Sequence, residues 1–149
     1  MGSLRNRALG LLLLLAVAAG CREPRSSEQF IPGAGPYAFE VPMTDSLRVY
    51  DFSLYTRLDG SFTALQELQQ LPLRMVWTSP SGEMASEAVY LPLQGRRSFF
   101  SRQILVPYRA DMRPVETGVW NLVITPLDPP EELRGMGLVV SYRPWDTEN

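Results

Sequence analysis

From Tyr37 onward, the dominant period of apolar positions along the chain is two. In 49–58, Tyr50, Phe52, Leu54, Thr56 and Leu58 share one face, with Asp51, Ser53 and Arg57 on the other. That alternation predicts a strand with one side on a core and one side in water. Leu71, Leu73, Met75 and Trp77 repeat it, and Ser79-Pro80-Ser81-Gly82 then supplies a turn. A hairpin is therefore expected, with 84–93 as the return strand and Pro92, which cannot donate to a ladder, at an edge or strand end. Ile104, Val106 and Tyr108 make a further strand. The clearest is 118–125, with Trp120, Leu122 and Ile124 inward, and the last is 137–142. Only 62–71 has helical spacing, through Leu65, Leu68 and Leu71. About seven short strands separated by turn signals predict an all-β fold. The expected form is a two-layer antiparallel β-sandwich of jelly-roll or immunoglobulin-like type over 37–149.

The N-terminal pattern differs. Arg5 and Arg7 precede an apolar run from Ala8 to Ala19, and small residues lead into Cys21, the only cysteine. A run of 12 residues is shorter than the roughly 20 that a helix needs to cross a bilayer. The segment 1–20 therefore reads as a secretory signal peptide. Val17-Ala18-Ala19-Gly20-Cys21 resembles the bacterial lipobox. The resemblance implies that Cys21 is lipidated on sulfur, becomes the mature N-terminus and anchors the protein in a membrane. An ordinary signal peptide would instead leave an unpaired thiol in a secreted protein. Residues 21–36, rich in Pro, Gly, Ser and charge, read as a flexible tether that holds the domain clear of the headgroups. In the alternative, Phe30 and Ile31 dock on the domain as a short first strand.

Composition narrows the chemistry. With the leader removed, 129 residues remain, enough for one domain. Twelve arginines then face sixteen acids, a net charge near −4, and no basic stripe is present to hold nucleic acid. There is no lysine and no histidine. Without imidazole there is no Ser-His-Asp triad or Cys-His pair, and with Cys21 committed to lipid no thiolate zinc site remains. P-loop, GxGxxG and EF-hand patterns are absent. The expectation is a protein that is not an enzyme and takes no cofactor or metal.

Three features are candidates for contact. Arg96 and Arg97, followed by Phe99 and Phe100, form a basic and aromatic cluster suited to anionic headgroups, or a solvated loop whose phenylalanines fold back on the core. Trp145 lies in a polar tail, either as a partner-contacting aromatic or packed on the sandwich end. Trp77 and Trp120 would stack sugar rings if exposed, but their place on alternating strands makes them core residues.

Phe39-Glu40-Val41-Pro42, Asp45-Ser46-Leu47 and Tyr50-Asp51-Phe52-Ser53-Leu54 with Arg57 resemble the opening of the gliding-motility lipoprotein H family of the Bacteroidetes. Leu71–Trp77 with Pro80-Ser81-Gly82, Ala88–Leu93, Gly118–Ile124 and Gly137–Val140 are similar to its later segments. Gln94–Ser101 stands where the family has a tryptophan- and glycine-bearing stretch. The resemblance implies a non-enzymatic structural or assembly component of a gliding or associated secretion complex, with protein partners in the cell envelope. Arg22 follows the cysteine in place of an inner-membrane retention aspartate, and no acidic cluster follows it. By the lipoprotein sorting pattern this implies the outer membrane, on the periplasmic face. A glycan-binding sandwich is the alternative function.

Overall fold

The computed structural model describes residues 25–93 and 101–145. The leader, Cys21, Arg96 and Arg97 lie outside the described residues. Eight strands and one short helix follow in order: β1 (Ser26–Pro32), β2 (Tyr37–Met43), β3 (Arg48–Asp59), α1 (Phe62–Glu67), β4 (Gln70–Thr78), β5 (Met84–Pro92), β6 (Ser101–Met112), β7 (Gly118–Pro126) and β8 (Leu133–Pro144). They form two four-stranded antiparallel sheets, in the orders β1-β8-β3-β6 (sheet A) and β2-β7-β4-β5 (sheet B).

The pairing has a simple origin. β1 pairs with β8, β2 with β7, β3 with β6 and β4 with β5, so the chain is one long two-stranded ribbon folded back at the β4–β5 turn. Rolling that ribbon adds the β3–β8 and β4–β7 ladders and brings its two faces together. This is the jelly-roll form of the sandwich. The core is built from the inward alternation of both sheets, including Phe39, Phe52, Leu54, Leu73, Met75, Leu122, Ile124 and Leu138. Among the described residues, no helix is long and apolar enough to cross a membrane.

Three expectations are corrected. The tether reading of 21–36 fails at 26–32, which pair with β8 from Ser26↔Ser141 to Pro32↔Gly135. Composition misled because β1 is an edge strand: its polar residues face water, while Ile31 packs on the core and the Phe30 ring stacks on Tyr55 at 5.8 Å. The helix expected over 62–71 spans only 62–67, where Ser61 caps it by accepting from the Ala64 N–H at 3.2 Å. Leu71 instead begins the inward row of β4. Trp77 is a core residue at 5 % exposure, but Trp120 is only half-buried. It stands edge-on to Trp77 beside an open cleft, and its Nε1–H donates to the Glu116 carbonyl at 2.9 Å.

Candidate functional site

β5 and β6 are consecutive edge strands of opposite sheets, and among the described residues the sandwich is open between them. The inward positions of β5 are fixed by its pairing with β4: Leu91 opposite Leu71, Val89 opposite Leu73, Glu87 opposite Met75. Alternation therefore turns a carboxylate toward the core at Glu87. The residues that meet it come from a bulge in β6. Ser53 pairs with Pro107 and Phe52 with Arg109, which leaves Tyr108 as an extra residue. Both Tyr108 and Arg109 are thereby aimed into the seam, as bulges at sheet edges do.

Together they form a chain of hydrogen bonds. Trp77 Nε1–H donates to Tyr108 Oη at 3.0 Å, Tyr108 Oη–H donates to Glu87 Oε1, and Arg109 Nη2 donates to the same oxygen at 2.8 Å. Burial pushes the Tyr108 hydroxyl up, and the bond to the Glu87 carboxylate pushes it further, against smaller opposing effects of Trp77 and Arg109. Tyr108 thus remains a donor to Glu87. Beside this chain lie two clefts, one of about 380 Å³ with Val89, Tyr90, Val106 and Pro107 in its walls, and one of about 170 Å³ against Trp77 and Trp120. Glu87 is the one acid among the described residues lining either cleft. The arrangement offers a guanidinium and a carboxylate to a polar ligand, without the second carboxylate that glycoside hydrolysis uses. No group of three or more potential metal ligands occurs among the described residues.

A second surface is the outer face of sheet B. Exposed sheet faces ordinarily carry polar residues, yet Val76 and Val123 occupy the middle of this one, with Ala38, Ala88, Val119 and Tyr90 around them. Its only charged strand positions are Glu40 and Arg74. Tyr90 is 64 % exposed. Four strands at about 4.8 Å and some seven residues at about 3.3 Å give the whole face a footprint of roughly 400 Å², in which Asn121, Thr125, Thr78 and Ser86 interleave with the apolar positions.

Of the sequence candidates Arg96, Arg97 and Trp145, only Trp145 is among the described residues, and it falls elsewhere. Trp145 packs at one end of the sandwich, with its backbone N–H donating to the Leu47 carbonyl at 2.7 Å and the Arg113 guanidinium over its ring at 4.3 Å. Sequence reasoning missed Glu87, Tyr108 and Arg109 as a group. The inward register of Glu87 on an apolar strand was a visible signal; the bulge was not.

The sequence matches no protein-family profile and no curated protein. Among solved structures the chain is similar to a family two carbohydrate esterase from Cellvibrio japonicus, with a TM-score of 0.31 and 11 % identity. The likeness covers 82 % of this chain and 36 % of that one, so the chain spans about a third of the length of the protein it matches.

Proposed function

We propose that this protein is a lipid-anchored, non-enzymatic component of a multi-protein assembly in the bacterial envelope. It is held through Cys21 in the outer membrane, on the periplasmic side, and is similar in role to the gliding-motility lipoprotein H proteins and their associated secretion machinery. The observation that supports this reading is the outer face of sheet B, where Val76, Val123, Ala38, Ala88 and Tyr90 cluster among two charged positions and no element covers them among the described residues. A protein partner is the natural cover for such a face. The glycan-binding alternative asks for two or more exposed aromatic rings aligned on one face. Trp77 is buried, Trp120 is half-buried and Tyr90 alone of the three stands exposed.

The test is affinity purification of the tagged, full-length protein from detergent-solubilised envelope, beside a Val76→Glu variant that charges the centre of the face. Envelope proteins are expected to co-purify in fixed ratio with the parent and to be lost from the variant. Identical recovery from both would overturn the reading, as would a Cys21→Ser protein that stays with the membranes after a carbonate wash.

A further inference from the structure

The connection to the proposed lipid is short, and it leaves the sandwich at a defined place. Arg25 is tied to β8, its carbonyl accepting from the Tyr142 N–H at 3.0 Å. Only residues 22–24 separate it from Cys21. The four residue steps from Cys21 to Arg25 reach at most about 14 Å, against the long tether that composition suggested. An anchor on Cys21 therefore holds the Arg25 end of the sandwich within headgroup distance of the bilayer.

The register shows what else is at that end. Ser26 lies beside Ser141, Arg48 beside Pro144, Tyr50 beside Met112 and Met43 beside Gly118. The loops 44–47 and 113–117, the 79–83 turn and Trp145 all gather there, while 33–36, α1 and 127–132 lie at the other end. The gathered loops are apolar at their tips. Val115 is 95 % exposed, Leu47 71 % and Trp145 39 %. Two arginines accompany them, Arg25 and, stacked on Trp145, Arg113, while Arg48 is paired with Asp45 at 2.9 Å and Glu116 accepts from Ser81. Aliphatic tips, an amphipathic indole and guanidinium groups on long stems are the side chains that settle at a membrane–water boundary.

We infer that this end of the sandwich is a membrane seat, with Leu47, Val115 and Trp145 entering the interfacial layer and Arg25 and Arg113 meeting lipid phosphates. The inference rests on the proposed lipidation of Cys21, and it fixes the orientation of the domain on the bilayer. The ends of β5 and β6 at Pro92 and Ser101, which pair with Gln70 and Asp59, lie at the opposite end. The strands of nine to twelve residues between the ends put these about 30–40 Å apart.

The experiment uses the full-length, lipidated protein in phosphatidylethanolamine–phosphatidylglycerol vesicles containing brominated acyl chains. A fluorophore is placed by Leu47→Cys or Val115→Cys at the seat, and by Leu127→Cys, exposed at the far end, as the control. Strong quenching of the first two labels and little of the third is the expected result, with quenching at the seat falling at least about twofold when Trp145→Asp is added. Equal quenching at all three positions, or quenching at Leu127 alone, overturns the seat while the protein still floats with the vesicles. Failure to float overturns the anchoring on which the seat depends, and the two failures are thereby told apart.

Discussion

Gly137→Ala should detach β1 from the sandwich. Phe30, Gly137 and Tyr55 are cross-strand neighbours on the outer face of sheet A. The missing side chain at 137 is what lets the Tyr55 ring lie flat across β8 and stack on Phe30 with an interplanar angle of 11°. A Cβ at residue 137 overlaps Tyr55 at Cε1 and Cζ and stands 2.6 Å from Oη. The tyrosine must then leave. The stack it forfeits is worth about 1 kcal/mol, and its hydroxyl bond to Glu28 Oε1 at 2.7 Å about 1 kcal/mol more. Re-exposing part of a ring that is now buried adds roughly 1–2 kcal/mol. The total, about 3–4 kcal/mol, is a large part of the roughly 5–15 kcal/mol that holds a domain together.

The measurement is thermal denaturation, with amide exchange followed strand by strand. A fall in thermal midpoint of about 10–15 °C is expected, with the β1 amides losing protection first because only β8 holds them. The backbone at 137 is not in the left-handed region, so alanine itself is tolerated and slightly favoured over glycine in a strand. In a Tyr55→Ser background the same Gly137→Ala change should therefore be neutral or stabilising. An equal cost in both backgrounds would refute the reasoning, since the penalty would then not pass through the ring.

Two further outcomes follow from the core. Burial pushes Tyr37 and Tyr55 up to about 12 from the usual 10.0, with Glu28 adding to the shift at Tyr55. Below pH 10 both states hold these protons; between about 10 and 12 the unfolded chain releases protons that the folded one keeps, so stability should fall as pH rises. Tyr37→Phe and Tyr55→Phe should each flatten that slope in alkaline unfolding curves, and an unchanged slope would show that neither tyrosine is the titrating group. Trp77→Ala should cost about 3–5 kcal/mol and leave little folded protein, whereas Trp120→Ala, removing a half-buried ring, should cost about half as much by chemical denaturation and leave a folded domain.

Strands were readable where one face is buried and the other wet. Phe52-Ser53-Leu54 in β3 and Leu122-Val123-Ile124 in β7 alternate because their inward residues have no other place to go. The same logic hides edge strands. β1 exposes most of its residues, so its sequence resembles a linker, although the β8 ladder, Ile31 on the core and the Phe30–Tyr55 stack attach it. The site was harder still. Glu87 sits on the inward row of β5, but a bulge of one residue decides that Tyr108 and Arg109 reach it together. Such an insertion in the ladder leaves no mark in the apolar pattern. Inward charges also blunt open edges against pairing with other chains, and Glu87 and Arg109 face each other across two such edges. That role requires no ligand.

The edges and the seat together constrain how a partner reaches this protein. With the Arg25 end at the bilayer, the strands of both sheets lead away from the membrane, and the outer face of sheet B turns sideways. Under the proposed anchoring, a partner for Val76 and Val123 held in the same membrane would meet this face at a local concentration that dilute solution does not supply. A footprint of roughly 400 Å² per partner falls below the ~800 Å² of a standard stable interface, so the contact should be weak between soluble domains and firm between anchored ones. Comparing Val76→Glu with Cys21→Ser in the same affinity purification separates these contributions. Loss of the partners in Val76→Glu alone would mean that the face suffices in solution, whereas loss in both is expected from a contact that needs the surface and the membrane together.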